Sequence, residues 1–225
     1  MVHSTGANNP YLKRYVQPDD GKLGKNQNGN HWNQSKPDGR SVCVHAFIGK
    51  LENGQIATYQ TLPFEIRGWH CGGSGNDGYI GFEICEDNLL DKDYFQKVYQ
   101  EAVEFCTYLC QTYHLTSKDI ICHAEGYQRR IASNHSDVLH WFRKYNITMD
   151  DFRNDVQKAL EDKKEGTKEM IYNYVDDNMP AWARPTIQKL VDKGALKGNE
   201  KGELLLTDVM LRIFVANDRA GAYDK

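Results

Sequence analysis

The most regular hydrophobic pattern in the chain runs from Asp91 to Tyr113. Apolar residues recur there at three- and four-residue spacing, which places them on one face of a helix. The residues on this face are Phe95, Val98, Ala102, Phe105, Cys106 and Leu109. A shorter pattern of the same kind spans Met149 to Leu160. Both segments are predicted to be helices that bury one face.

Short apolar runs between polar segments predict buried strands. Val42 to Ile48 is the first, and Gln55 to Tyr59 is predicted as its hairpin partner because Asn53-Gly54 supplies the positive φ of a tight turn. Further strands are predicted at Tyr79 to Cys85 and at Asp119 to Cys122. Strands that alternate with helices, with one hairpin among them, indicate an α/β fold in which a mixed central sheet is flanked by helices.

Two stretches of the chain do not follow either periodicity. Residues 6–41 are rich in Gly, Asn, Asp, Lys and Pro, which predicts a long loop of the kind that often binds ligands. A charged, glycine-terminated run then predicts a linker at 163–168, between a main domain at 1–162 and a small all-helical module at 169–225. The module is short enough that we expect it to pack on the main domain or on a ligand.

Helix start and stop signals within the module define its predicted elements. Pro180 is predicted to start a first helix and Gly194 to stop it. Thr207 is predicted as the N-cap of a second helix that runs through Val215. Two or three short helices are therefore expected.

Composition excludes several classes of partner. The 225-residue chain has a formal net charge of −3, and its Lys and Arg residues are scattered, which argues against nucleic-acid binding. No apolar run approaches the ~20 residues of a membrane span, so membrane insertion is not expected. The first residues, MVHSTGANNP, lack the apolar region of a signal peptide, which predicts a cytoplasmic protein. A start truncated just before His3 is the alternative.

The six cysteines include no Cys-x-x-Cys pair. Their even number permits disulfides, but a chain of this length can build a core without them. Buried, reduced thiols are the favoured interpretation, and a Cys-rich zinc finger is not supported.

Imidazoles and a carboxylate cluster in the segment ICHAEGYQRRIASNHSDVLHWF, residues 121–142. A hydrolytic zinc site needs three protein ligands and an open position for water. His3, His123, His135 and Asp137 are candidates, but they form no local motif. From the residues alone, an ordinary polar surface loop remains an alternative, and any single histidine is more often structural.

Several motifs in a fixed order resemble the zinc-dependent N-acetylmuramoyl-L-alanine amidases, which share their fold with phage amidase endolysins and peptidoglycan recognition proteins. The order is His-Ser-Thr-Gly near the start, His-Ala-Phe-Ile on a strand, Trp-His-Cys-Gly before a glycine-rich loop, Ile-Gly-Phe-Glu-Ile on a later strand, and finally His and His-x-Asp. The resemblance covers roughly residues 1–145.

The resemblance implies a zinc site made of His3, His123 and Asp137. Many relatives continue Asp-Pro-Gly or Cys-Pro-Gly after the third ligand, whereas this chain continues Asp-Val-Leu-His. That departure leaves His135 as an alternative third ligand. We favour Asp137, with His135 as a catalytic residue that contacts the scissile carbonyl.

The same resemblance implies that Glu83 is the general base and later the proton donor. The alternative for Glu83 is a carboxylate that pairs with an arginine, which fits its apolar strand less well. His70, Trp69 and Arg129 are predicted to contact substrate. The alternatives are a structural role for Trp69 and a solvated surface charge for Arg129. His45 is predicted to support the site or fill the core.

The function that the resemblance implies is hydrolysis of peptidoglycan at the amide between N-acetylmuramic acid and the L-alanine of the stem peptide, by zinc-activated water. The alternative is a non-catalytic wall-binding module on the same fold. The lack of a signal peptide fits a phage or prophage endolysin that reaches the wall after the membrane is breached. The C-terminal module is predicted to anchor the protein to the wall, or alternatively to cap the domain or form a dimer.

Overall fold

The structure of the protein is a computed structural model that describes residues 1–166 and 170–224, without the side chains of 163–166. The chain divides into two compact units, Met1–Asp162 and Lys163–Lys225. Each unit has a hydrophobic cluster of its own.

The first unit is built on a four-stranded sheet. Its strands are β1 (Val2–Ser4), β2 (Ala46–Lys50), β3 (Ile56–Gln60) and β4 (Phe82–Ile84), arranged in the order β1-β4-β2-β3. β4 runs parallel to both β1 and β2, while β3 pairs with β2 as an antiparallel hairpin. The predicted α/β class with a mixed central sheet is confirmed.

Four α-helices accompany this sheet: α1 (Lys92–Tyr113), α2 (His123–Gln128), α3 (Leu139–Phe142) and α4 (Met149–Gly166). α1 matches its prediction, and the Asp91 side chain caps it by accepting the Tyr94 N–H at 2.9 Å. α4 extends past the predicted helix and into the predicted linker at 163–168, whose last two residues lie outside the described part of the chain. Among the described residues, no helix combines the length and apolar character of a membrane span.

The prediction of a strand at Asp119 to Cys122 is wrong in most of its length. Ser117–Asp119 form a short 3-10 turn, and only Cys122 pairs with the sheet, through a single parallel bridge to Val2. The apolar residues of this run are buried, as a strand would require, but the run is too short to extend the ladder. His123 therefore begins a helix and does not close a strand.

The two faces of the sheet have different roles. Residues of alternating positions point to opposite faces of a strand. Val2, Ala46, Phe82 and Ile84 belong to the main cluster with α1, α3 and α4. The opposite face carries the row His3, Glu83 and Phe47, which are partners in the strand register.

The long loop at residues 6–41 covers this second face. It buries Leu12, Tyr15, Val16 and Leu23 against Phe47, and most of its other residues are polar. The loop is thus packed onto the sheet, and it forms one wall above the row of polar side chains.

The second unit contains more than the predicted helices. α5 (Arg184–Asp192) and α6 (Asp208–Arg219) pack together, and a short antiparallel ribbon of β5 (Ile171–Tyr172) and β6 (Leu206–Thr207) is added. The predicted Thr207 cap is confirmed, because its side chain accepts the Met210 N–H at 3.3 Å. α5 begins one turn after Pro180 and ends just before Gly194, whose φ is +69°.

All six cysteines are free thiols, and every one except Cys43 is buried. Burial raises the pKa of Cys106 to about 12 and that of Cys122 to about 11, so both keep their protons at neutral pH. The five buried cysteines therefore act as small apolar core residues, in agreement with the predicted buried, reduced thiols.

Candidate metal centre

Two of the predicted ligands are brought together by one backbone pairing. The Val2 N–H donates to the Ile121 carbonyl at 2.8 Å, and Val2 bridges to Cys122. His3 and His123 are the next residues along each segment, and both are buried. Their ring centroids lie 4.9 Å apart and the rings are perpendicular.

The third predicted ligand is held by an apolar neighbour. Asp137 lies in the loop before α3, and the next residue, Val138, is fully buried in the main cluster. The Trp141 N–H donates to the Val138 carbonyl at 3.1 Å, which ties this loop to α3. Packing of Val138 thus fixes the position of the loop that carries Asp137.

The donor atoms of these three residues converge. The two Nδ1 atoms of His3 and His123 are 3.1 Å apart, and Asp137 places Oδ2 at 2.9 Å from the first and Oδ1 at 3.5 Å from the second. Zinc binds nitrogen and oxygen at about 2.0–2.1 Å in a tetrahedron, which separates its donors by roughly 3.3 Å. The donor separations therefore fit a zinc ion of that geometry.

Hydrogen bonds on the far side of His3 fix its tautomer. His70 Nε2 lies 3.1 Å from the Tyr79 carbonyl, which can only accept, so His70 carries its proton there. His70 Nδ1 is then an acceptor for His3 Nε2–H at 3.0 Å. His3 is left with a free lone pair on Nδ1, directed at the centre of the group.

His123 is oriented in the same way by a different partner. The Ser133 hydroxyl donates to the Cys71 carbonyl at 3.1 Å, so it accepts from His123 Nε2–H at 3.2 Å. The Nδ1 of His123 is again a lone pair. Two lone pairs that face each other beside a carboxylate repel one another, and a bound cation removes that repulsion.

The charge states of the group suit a cation. Burial lowers the pKa of His3 to about 4, in spite of the neighbouring Asp137, so the imidazole is neutral at pH 7. Burial acts to raise the pKa of Asp137, but the adjacent His123 and His3 imidazoles outweigh it and hold the pKa below its ordinary value, so the carboxylate is ionised. A neutral imidazole, as at His3, and an ionised carboxylate, as at Asp137, are the protonation states in which these residue types bind zinc.

Glu83 lies beside the group on the same face of the sheet, in register with His3. Its side chain is partly accessible, while its Oε2 is buried and has no hydrogen-bond partner. Burial raises the pKa of Glu83 well above its ordinary value, and the carboxylates of Asp137 and Glu86 add to the shift. A cation bound to the neighbouring ligands would lower the pKa of Glu83. Among the described residues Glu83 pairs with no arginine, so the alternative of a structural ion pair has no support.

His135 and His45 occupy different positions. The His135 ring is exposed, with its centroid 4.9 Å from that of His123, and it faces the same cavity. His135 is not one of the three residues whose donor atoms converge, which are His3, His123 and Asp137. His45 is buried, accepts the Gly81 N–H at 3.0 Å and donates to the Ile66 carbonyl at 2.9 Å, so it is a structural residue of the core.

A cavity of about 640 Å³ opens above the converging group. The loop at 6–41 supplies one wall, and Trp69 and His70 lie on another side. Trp69 is 51% exposed, with the Arg67 guanidinium 4.6 Å from its ring centroid. A sugar or peptide has room to reach the group from this side.

The predicted substrate contacts are distributed unevenly. Trp69 and His70 line the cavity, but both ring nitrogens of His70 are engaged, so its first role in this structure is to orient His3. Arg129 lies at the exposed end of α2 and does not line the cavity. Its binding to stem-peptide carboxylates stays a prediction without support from this geometry.

Several polar residues of the site could not be identified from the sequence. The partners that orient the imidazoles, Tyr79 and Ser133, carried no signal because a backbone carbonyl or a single serine has no motif. Tyr15 and Arg14 line the cavity. The loop that carries them was predicted from its composition alone, so neither residue was singled out. Their one signal was the presence of large side chains in an otherwise small and polar stretch.

The sequence of this chain matches the profile of a known protein family. A family profile described as N-acetylmuramoyl-L-alanine amidase matches residues 1–139, a span that includes His3, Glu83, His123 and Asp137. A similar solved structure is that of the Staphylococcus aureus hydrolase AmiA in complex with its ligand, with 20% identity and a TM-score of 0.47. That match covers 56% of this chain and 62% of the other, so the chain spans less than two thirds of it. No curated protein matches the sequence.

Proposed function

The chain belongs to the N-acetylmuramoyl-L-alanine amidase family, and from this we propose that it is a zinc-dependent amidase of peptidoglycan. Its substrate is the amide between the lactyl group of N-acetylmuramic acid and the L-alanine of the stem peptide. The observation that carries the proposal is the convergence of two imidazole lone pairs and a carboxylate, at separations of 2.9 to 3.5 Å, at the base of an open cavity.

His3, His123 and Asp137 are the residues that would hold the metal. A bound zinc ion supplies a Lewis acid that acidifies water and polarises a carbonyl. The chain's own contribution is to orient the two imidazoles through His70 and Ser133 and to keep His3 neutral by burial. That orientation fixes where the scissile carbonyl has to lie.

Glu83 handles the proton in this proposal. Its carboxylate accepts a proton from the attacking water and then returns it to the leaving amine of L-alanine. Burial raises the pKa of Glu83, so its carboxyl group holds a proton more readily than an exposed one, which suits the return of that proton to the leaving amine. The unpartnered Oε2 leaves an acceptor free for this exchange.

His135 is proposed to act on the other side of the carbonyl. Its exposed ring faces the cavity next to His123, where it can donate a hydrogen bond to the oxygen of the tetrahedral intermediate. The protein is proposed to act on the bacterial cell wall, as an endolysin of phage or prophage type.

Replacement of Glu83 tests the proton role. Glu83→Gln keeps the shape of the side chain but cannot take the proton, so amine release from purified cell walls should fall by roughly 10²- to 10⁴-fold. Zinc content by elemental analysis and the thermal midpoint should stay at wild-type values, because Glu83 is not in the ligand set.

The matched control is Glu104→Gln, an exposed position on α1 that should leave release unchanged. Release by Glu83→Gln at the wild-type rate would remove Glu83 from the mechanism.

A further inference from the structure

One wall of the cavity carries buried polar atoms that lack a hydrogen-bond partner. Among the described residues these include the hydroxyls of Ser4 and Tyr15 and the Oε2 of Glu83, and all three residues line the cavity. Unpartnered buried polar atoms cost free energy and are uncommon in folded proteins. Several of them on one wall of an open cavity indicate a place where a ligand supplies the missing partners.

The strand register and one ring stack place Tyr15 on the same face of the sheet as Glu83. On adjacent strands Phe47 is the partner of Glu83, and Glu83 is the partner of His3, so the three side chains form a row on one face. The Tyr15 ring stacks on Phe47 with centroids 5.1 Å apart and an interplanar angle of 8°. Tyr15 therefore packs over Phe47, which is the neighbour of Glu83 on the side away from His3.

The Tyr15 side chain is held rigidly. It is 4% exposed, and the Arg14 guanidinium lies 5.6 Å from the centroid of its ring. Its backbone is fixed as well, since its carbonyl accepts the Trp32 N–H at 2.6 Å. A rigid hydroxyl is pre-oriented, so it loses little conformational entropy when it binds a ligand.

The phenol keeps its proton. Burial raises the pKa of Tyr15 well above its ordinary value, and Cys85 and Glu83 add to the shift, while Thr5 and Arg14 act against it. Among the described residues, the Tyr15 hydroxyl has no hydrogen-bond partner, and Tyr15 lines the cavity, so a ligand there can accept from it.

We propose that the Tyr15 hydroxyl is a substrate-binding residue that donates to a carbonyl oxygen of the lactyl-peptide substrate on the Glu83 side of the cavity. This inference rests on the proposed amidase function. Carbonyl oxygens are the acceptors that such a substrate presents most densely, and a protonated phenol can bind them where the Glu83 carboxylate cannot. Tyr15 would hold the peptide beside the residue that moves the proton.

Tyr15→Phe removes only the hydroxyl and leaves the stack on Phe47. Binding of a muramyl tripeptide to the full-length, zinc-loaded chain is measured by calorimetry in the Glu83→Gln background, where the ligand is not cleaved. Adding Tyr15→Phe should weaken the binding by about 3- to 10-fold, the range for one lost hydrogen bond. In the otherwise wild-type chain, kcat/KM for amine release should fall by a similar factor.

The thermal midpoint separates a binding role from a structural one. Because an unpartnered buried donor is removed, Tyr15→Phe should be at least as stable as the wild type. Tyr59→Phe is the matched control: its hydroxyl donates to Asp20 at 2.6 Å outside the cavity, so ligand binding should not change.

The outcomes are separable. Cleavage by the wild type with unchanged binding and kcat/KM in Tyr15→Phe would overturn the Tyr15 role and leave the amidase standing. Weaker binding by Tyr15→Phe in a chain that cleaves nothing would support Tyr15 and overturn the amidase. Weaker binding together with a lowered thermal midpoint would assign Tyr15 to the fold and overturn the proposal, and so would a wild type that neither binds nor cleaves.

Discussion

The tautomers of two histidines decide what the candidate metal centre can bind. His3 and His123 each use Nε2–H as a donor, to His70 and to Ser133, and each turns the lone pair of Nδ1 inward. If either partner were lost, the imidazole could rotate or exchange its proton, and the lone pairs would no longer meet. The residues that accept hydrogen bonds from the two ligands, His70 and Ser133, are therefore needed for tight metal binding.

The distances to the two imidazoles decide which residue is the third candidate ligand. Asp137 extends a carboxylate to both imidazoles, at 2.9 and 3.5 Å, while His135 is exposed at the rim of the cavity. A rim position suits a residue that meets substrate, and a position at the base suits a ligand. On this geometry Asp137 is the stronger candidate for the metal and His135 for the carbonyl.

At the scale of elements, a partly exposed ion pair joins the segments that carry the ligands. His140 in α3 lies 3.0 Å from Glu86, which follows β4, and the same Glu86 oxygen accepts the Gly6 N–H at 3.1 Å. Gly6 is three residues after His3, and His140 is three residues after Asp137. The pair thus connects the end of β1 to the loop that precedes α3.

This pair predicts a pH dependence of stability. The hydrogen bond to Glu86 raises the pKa of His140 above 6.5, so the folded state binds a proton that the unfolded state releases earlier. The stabilisation is complete below the unfolded pKa and is lost as pH rises through the folded value. His140→Gln keeps a donor but has no charge.

The measurement is a set of thermal melts of the metal-free proteins from pH 5.5 to 8.5. The wild type should melt on the order of 2 °C above His140→Gln at the acid end, because partly exposed pairs contribute little. The gap should close toward the alkaline end. A gap that is constant or widens with pH would show that His140 does not act through this ion pair.

A secondary-structure element could be predicted from the sequence where the apolar residues of one face are enough to define it. α1 has a long apolar stripe, and a carboxylate caps it at Asp91, so both its type and its start could be read from the sequence. The run before His123 could not be assigned, because a short apolar segment looks the same whether it joins a sheet or only touches it. The Tyr15–Phe47 stack joins a loop to a strand, and no local pattern records such a contact.

The site was predictable only in part for the same reason. The order of motifs pointed to His3, Glu83, His123 and Asp137, although His3 and Asp137 lie 134 positions apart. The orienting contacts of His70 and Ser133 depend on loop paths that no periodicity specifies. The residues that carry the chemistry were therefore easier to predict than the residues that orient them.

At the scale of the whole molecule, the two units divide the proposed work. Every residue that lines the cavity belongs to Met1–Asp162. The second unit has its own core and exposes several large apolar side chains: Tyr174, Trp182, Val209 and Ile213. Wall anchoring by the second unit is the role we propose, with dimerisation as the competing one.

A chain that ends at residue 166 tests this division. It should release amine from soluble muropeptides at close to the full-length rate, because the cavity is intact. Co-sedimentation with insoluble cell walls should fall several-fold if the second unit is the anchor. Unchanged co-sedimentation would contradict anchoring, and a change in mass by analytical ultracentrifugation would favour the dimer.

The most direct test of the central claim is the metal content of the purified chain, measured with amine release from cell walls. The wild type and His135→Ala should each hold about one zinc per chain, the content of a single three-ligand catalytic site. His3→Ala and Asp137→Ala should lose both metal and activity, while His135→Ala loses activity alone. Zinc kept by Asp137→Ala and lost by His135→Ala, or wild-type release without any metal, would contradict the account.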